Sequence, residues 1–485
     1  IEINWLPDAV IKESKEILRA TFRNVGIILP NKRFVLNLFP SDIRKVGTSF
    51  DLSMAVAILV LLQEWRVHHQ KDLEKYLFFG ELGLDGTIKR VNWLLPSVIS
   101  AIKKWYKDFF VPSENLYELE YISWITIYPL DNFLQLVWYF VDWKDLQCVS
   151  QSKDVESLYN VQYDFEIDFE HIKWHILAKR ALSIAAAGLH NVFMIWAPWS
   201  GKTMLSKALK SVLPPLWFQE ILEVSQIYSV VWKLNKDHPL IVQRPFRQVH
   251  HTASKISIVW GWSNLTPWEV SLAHKWVLFF DEITEFPRET LEVLRQPIED
   301  KNISISRVSG SVNYPANFMF VASMNPCKCG YYKDPERACT CSINEVKNYQ
   351  NKISGPLMDR IDMILEIPRE NIDKLLDNVK SESSQSIREK IIKARQIQKK
   401  RFAGTNIVSN SDMSSNDIEK YIPLSDEIKE FLTTASERLV LSPRVVHRII
   451  KLARTIADME WVESLEIKHL AEAMQYRSKS MFVER

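Results

Sequence analysis

Glycine is scarce in this chain, at 12 of 485 residues, where average usage of about 7% would supply roughly 34. Few positions can therefore take a positive φ without strain. Cysteine is scarcer, at five. That is too few and too clustered for a disulfide framework, since four of the five fall between Cys327 and Cys341. Apolar runs of the roughly 18 residues that cross a bilayer as a helix are missing. The longest candidate, "MAVAILVLL" from Met54, suits a buried helix. Excess charge is missing too: 61 Lys and Arg against 59 Asp and Glu leave a net +2. That balance argues neither for nor against nucleic acid, so any basic surface must be local. No charged-then-apolar leader opens the sequence. The expected location is cytoplasmic, and the opening Ile1 in place of Met leads to the expectation of a missing N-terminus.

Tryptophan is oddly common, at 17. Many copies stand in turn-like surroundings: "EINWLPD", "RVNWLLP", "VWGWSNLTPWEV", "AHKWVLFFDE". Tryptophan and glycine together come close to an ordinary glycine allotment. The expectation is that most of these positions are glycine in the cell, encoded by a reassigned UGA codon written here as tryptophan. The codons at Trp196, Trp199 and Trp262 test it, and UGG at all three ends the idea.

The stretch "NVFMIWAPWSGKTMLSKAL", Asn191 to Leu209, carries the ending of a phosphate loop, G-x-x-x-x-G-K-[ST]. In that loop, backbone N–H groups and the following helix N-terminus wrap a nucleotide's phosphates. Gly201, Lys202 and Thr203 fit; Trp196 occupies the first glycine position. Val192 to Ile195 reads as a buried strand and "KTMLSKAL" as a helix. The loop Trp196, Ala197, Pro198, Trp199, Ser200 and Gly201 is then expected to enclose ATP. Lys202 reaches the β- and γ-phosphates, and Thr203 binds Mg2+. If the indoles are genuine, the chain reads instead as a degenerate, nucleotide-blind scaffold.

"VLFFDE", Val277 to Glu282, is an apolar strand ending in two carboxylates. Asp281 is placed to hold magnesium and Glu282 to deprotonate the attacking water. "NFMFVAS" is another strand, ending near Asn325, which either touches the γ-phosphate or lytic water or caps a turn before Pro326. Lysine loop, acidic strand and polar strand tip in that order imply a parallel sheet whose carboxyl ends share one site.

Before this, residues 1–140 alternate short strands and helices. "RFVLNLFP" is a strand, "DLSMAVAILVLLQEW" a helix, and "LFFGELGLDGTIKRV" two strands about an Asp-Gly turn. After it, "NVKSESSQSIREKIIKARQIQKKRF" is a serine-capped basic helix, and Ser425 to Arg485 is helical throughout.

Six further motifs occur in order: "RPFRQVHHTAS", "EVSLAHKWVLFFDE", "LEVLRQPIED", "SMNPCKCGYYKDPERACTC", "ISGPLMDRIDMILEIP" and "SPRVVHRIIKLARTIADME". With them the chain resembles the AAA+ ATPases of the magnesium-chelatase-like family, in particular its bacterial competence-associated branch-migration helicases. The resemblance implies that Arg360 in "LMDRID" is an arginine finger toward a neighbouring subunit's γ-phosphate, and that Arg444 in "SPRVV" is a second sensor arginine. Either could instead be a surface ion pair. The family pattern has glycine at Trp196, Trp199, Trp260, Trp262 and Trp276.

The implied class is α/β. A Lon-protease-like α+β domain (1–140) and a linker (141–165) precede an AAA+ parallel-sheet P-loop core (166–368). A basic helix, linker and helical lid follow (369–485). Ser49 lies near the nucleophile position of Lon-type proteases, but Leu95 stands where their lysine base belongs, so proteolysis is not expected. Cys327, Cys329, Cys339 and Cys341 space as C-x-C-x₉-C-x-C, enough thiolates for Zn2+, although unmetallated turns are an alternative. Cys148 stands alone. "ISISRVSGSVNYPANF" reads as a hairpin, and the resemblance makes Arg307 a candidate DNA-phosphate contact. His250 and His251 receive no role. The expected protein is a cytoplasmic ATPase with ATP and Mg2+, assembling as a homo-oligomeric, hexameric ring on branched or single-stranded DNA. The alternative is a chelatase-type or protein-remodelling ATPase without nucleic acid.

Overall fold

The computed structural model describes residues 1–4, 9–39, 50–62, 70–142, 144–150, 153–159, 167–172, 175–196, 202–244, 246–250, 252, 267, 269–307, 310–367, 382–439, 441–477 and 482. They divide into two units. One comprises 1–162, 217–242 and 305–312, and the other 163–216, 243–304 and 313–485. Among the described residues no helix is long and apolar enough to cross a membrane.

The first unit begins with β1 (Glu2–Asn4), α1 (Ala9–Asn24) and β2 (Val35–Asn37), with β1 and β2 parallel. The strand expected over "RFVLNLFP" is only these three residues, and Val35 is exposed, so no buried face extends it. α2 (Asp51–Leu62) is the expected buried helix. β3 (Tyr76–Phe78) is followed by β4 (Glu81–Leu82) and β5 (Ile88–Lys89), which are antiparallel. They flank the expected Asp-Gly turn, where Gly86 takes φ 85° and Asp85 Oδ1 accepts from the Thr87 N–H at 3.1 Å. α3 (Leu94–Ile102), β6 (Asp108–Pro112), β7 (Thr126–Leu130) and α4 (Phe133–Phe140) follow, and residues 217–242 add the helix Phe218–Val230. β3, β6 and β7 form a parallel sheet about Phe110, which stacks on Phe78 and Tyr128 at 4.8 and 4.4 Å.

The second unit is built on α5 (Ile176–Gly188), β8 (Val192–Trp196), α6 (Lys202–Val212), β9 (Phe246–Val249), β10 (Val277–Phe280), β13 (Met319–Met324) and β14 (Met363–Ile367). The hairpin strands β11 (Asn302–Arg307) and β12 (Gly310–Pro315) come between β10 and β13. The sheet order is β14-β8-β13-β10-β9, every pair parallel. β8, β10 and β13 are buried at every position, as strands covered on both faces must be, which is why they read as apolar runs, interrupted only by Ser323 in β13. α7 (Ile343–Gln350), α8 (Ser384–Arg401), α9 (Asp426–Arg438), α10 (Pro443–Met459) and α11 (Ile467–Gln475) follow. The C-terminal stretch is thus three helices rather than one continuous run. Pro443, which has no N–H, starts α10 at its first turn, and the chain turns after Met459.

Five of the nine tryptophans among the described residues hold a left-handed backbone: Trp93, Trp105, Trp124, Trp232 and Trp461, at φ 57–71°. Three of these finish helices. The N–H of Tyr106 reaches Ala101 O at 3.2 Å, that of Lys233 reaches Tyr228 O at 3.1 Å, and that of Val462 reaches Ala457 O at 2.9 Å. This is the closing bond of a Schellman motif, whose left-handed residue is usually glycine because a Cβ is strained there. The tryptophan-for-glycine expectation therefore coincides with backbone that glycine tolerates best.

Candidate functional site

Register brings the carboxyl ends of β8, β13 and β10 together. Met324 pairs with Ile195, and Phe280 with Ala322. Trp196, Asp281 and Asn325 therefore stand at adjacent strand ends, the crevice where open parallel sheets bind ligands. The Ser323 hydroxyl, buried inside β13, donates to Asp281 Oδ1 at 2.8 Å and fixes that carboxylate. Glu282 is exposed and left-handed, at φ 49°. Such strain in a carboxylate-bearing residue is held by its surroundings. Here the next turn is anchored by Thr284, whose hydroxyl donates to Tyr349 Oη at 2.7 Å and whose carbonyl accepts from Lys352 Nζ at 2.9 Å. Asn325 is half-buried. Gln350, on the same helix α7 as Tyr349, holds the adjoining Pro326 carbonyl at 2.9 Å.

The loop Ala197, Pro198, Trp199, Ser200 and Gly201 lies outside the described residues, as do the side chains of Lys202 and Thr203; α6 begins at Lys202. The Trp196 indole is 1% exposed within the core, edge-on to the His175 ring at 5.8 Å, and its N–H has no acceptor among the described residues. The donor set fits a magnesium nucleotide at the strand tips: an oriented carboxylate, a second exposed carboxylate, a polar side chain from the neighbouring strand and a helix N-terminus. An indole at residue 196 belongs to no such set.

Arg360 and Arg444 are elsewhere. Arg360 precedes β14, whose first residue pairs with Val192 at the start of β8. It therefore sits at the amino end of the sheet, about 15 Å from the carboxyl ends for strands of this length. There it pairs with Glu299 and donates to Pro356 O at 2.8 Å. It lines a cavity of about 760 Å³ with Arg444, Arg448 and Lys451 from α10, and neither Asp281, Glu282 nor Asn325 contributes to that lining. Asp362 binds the two walls of this cavity together. It accepts from the Asn191 N–H at 2.8 Å and pairs with Arg448. Burial opposes its charge, but the Arg448 guanidinium, His190 and the Asn191 N–H hold its carboxyl well below the usual range.

The four clustered cysteines are free thiols whose sulfurs all lie within 4.8 Å of one another. Cys327 is pushed up to about 12 by burial; Cys329 is lowered to about 5, burial being outweighed by the Tyr331 N–H and the Cys327 thiol.

Sequence comparison completes the site's context. The model of the magnesium chelatase subunit ChlI matches residues 168–375, that of its C-terminal part matches 381–477, and a further ChlI model matches 1–115. Competence protein ComM of Haemophilus influenzae is 35% identical over 474 residues, covering 98% of this chain and 91% of that protein. YifB of Salmonella typhimurium is 36% identical over 476 residues (98% and 90%), and YifB of Escherichia coli 35% over 474 (98% and 90%). The chain belongs to the magnesium-chelatase family, in its ComM and YifB branch.

As a magnesium-chelatase-like chain it is of AAA+ ATPase type, and the 5-stranded parallel sheet is the core that such a chain requires. Sequence reasoning missed Ser323 and Asp362. A serine inside an apolar strand was the available signal for the first; nothing local marked the second. Leu95 is fully buried and supplies no base; Ser49 lies outside the described residues. His250 Nδ1 faces Thr252 Oγ1 at 2.8 Å. His251 and the Arg307 side chain lie outside the described residues, and Cys148 is exposed.

Proposed function

We propose that this chain is an ATP-hydrolysing ring motor whose active site is completed between adjacent copies, and that its cycle moves branched or single-stranded DNA in recombination or natural transformation. The separation of Arg360 and Arg444 from Asp281, Glu282 and Asn325 carries the reading. In one chain the arginines are a strand's length away from the carboxylates, so they serve a neighbour's nucleotide. Main-chain amides from residue 196 to Thr203 would hold the triphosphate, with Lys202 on its β- and γ-phosphates. Thr203 and Asp281 would hold magnesium, which neutralises charge on the phosphates. Glu282 takes the proton of the attacking water, Asn325 orients that water or the γ-phosphate, and a neighbour's Arg360, released from Glu299, meets the developing charge. Glycine at residues 196 and 199 belongs to this reading, and the five left-handed tryptophans support it. The DNA substrate rests on likeness to ComM, which is named for competence.

Mixing tests the shared site. Glu282→Gln and Arg360→Ala are each expected to lose at least about 100-fold in ATP hydrolysis, modest beside the 10³–10⁵ an arginine finger supplies elsewhere. Their mixture should regain activity, because some interfaces then pair an intact Glu282 with an intact Arg360. Full activity of Arg360→Ala alone would overturn the arrangement. Stimulation by four-way DNA at low salt tests the substrate; its absence favours the chelatase-type remodeller.

A further inference from the structure

We propose that Cys327, Cys329, Cys339 and Cys341 hold one zinc ion, and that this ion fixes the loop carrying Asn325 against the helix that anchors the acidic tip of β10. The Cys327–Cys329, Cys329–Cys339 and Cys327–Cys339 sulfur separations are 3.3, 3.5 and 3.7 Å, and Cys341 lies within the same 4.8 Å group. Four thiolates about 2.3 Å from a tetrahedral zinc lie about 3.8 Å from each other, so the sulfurs already occupy the corners of such a site. Its backbone is formed accordingly. Gly330 turns the chain at φ 87°, and its N–H donates to Cys327 O at 3.0 Å.

The position of this site gives it a consequence. Cys327 is two residues beyond Asn325, and the Pro326 carbonyl between them is held by Gln350 of α7. The neighbouring Tyr349 and, just past the helix, Lys352 hold Thr284, three residues after Asp281. A closed metal loop on one side of α7 thereby sets the distance between Asn325 and the Asp281–Glu282 tip. The metal site stands independently of the ATPase reading, whereas the positioning role rests on it.

The test uses the full chain purified without chelator from zinc-replete cells. Elemental analysis is expected to give about one zinc per chain, falling at least tenfold in Cys329→Ser and Cys339→Ser. Because those variants can misfold, zinc is also released from the unaltered protein with an organomercurial and counted with a chromogenic chelator, with circular dichroism as the check on fold. Folded protein with less than a tenth of a zinc per chain, or with iron and its visible absorbance instead, overturns the site. Zinc removal is expected to leave affinity for a fluorescent ATP analogue within about twofold while kcat falls at least tenfold. An unchanged kcat overturns the positioning role. No hydrolysis even with zinc bound counts against the motor reading and leaves the metal site standing.

Discussion

Trp105 and Trp124 are 87% and 88% exposed, so replacing either by glycine removes almost no buried surface. What changes is the backbone. A left-handed non-glycine residue costs about 1–2 kcal/mol, while glycine gives the unfolded chain about 0.5–1 kcal/mol of extra freedom. Each substitution is therefore expected to stabilise the N-terminal unit by about 0.5–1 kcal/mol. Trp232 and Trp461 share the same backbone but lie under Arg90 and Lys393 at 4.6 and 5.1 Å. Losing about 0.5–1 kcal/mol of cation–π attraction brings their change close to zero. Trp138, inside α4, is the control of opposite sign, since glycine there costs about 1 kcal/mol in helix propensity alone. Calorimetry of the full chain reads these as shifts of one transition, about 2–4 °C per kcal/mol for a unit of this size. Trp105→Gly and Trp124→Gly should raise the midpoint and Trp138→Gly lower it. If all three lower it alike, the argument that these tryptophans stand at glycine positions fails.

Other outcomes follow from the same structure. Burial raises the Asp51 carboxyl to about 6 from 3.8, so the proton-bound form is the favoured folded one and stability falls as pH rises from about 4 to 6. Asp51→Asn keeps an acceptor for the Ser14 hydroxyl, 2.6 Å away, and should gain up to about 3 kcal/mol at pH 7 but little at pH 4, read as a widening difference in melting temperature. Asp362→Ala leaves the buried His190 and the half-buried Arg448 without their carboxylate and should cost about 3 kcal/mol, the low end for a broken interior ion pair. The depressed carboxyl contributes stability above about pH 4 that is lost on acidification, so wild type and variant should converge in acid melts. Ser323→Ala removes a bond to a charged group worth about 1.5–3 kcal/mol. It should lower kcat roughly 10- to 100-fold and raise the magnesium requirement, with ATP affinity little changed; unaltered magnesium dependence would detach Ser323 from the site.

The sequence by itself determined the parts whose physics is local. Val192–Ile195 and Val277–Phe280 are unbroken apolar runs, and Met319–Met324 is apolar but for Ser323, because strands covered on both faces admit few polar residues. Asp281, Glu282 and Asn325 follow directly from those runs, and four cysteines within one short loop could only meet one another. A shortage of glycine beside a surplus of tryptophan was equally plain in composition, and the left-handed turns gave it a backbone reason. What only the tertiary structure decided was everything joined across the sheet. β14 pairs in parallel with β8 from its first residue, which puts Arg360 at the opposite end of the strands from the carboxylates, and no spacing along the chain encodes that pairing. Asp362 was invisible for the same reason: its partners, the adjacent His190 and Asn191 and the distant Arg448, come from two segments far from it along the chain. Its carboxylate can stay charged in the interior only where the fold assembles all of them around it.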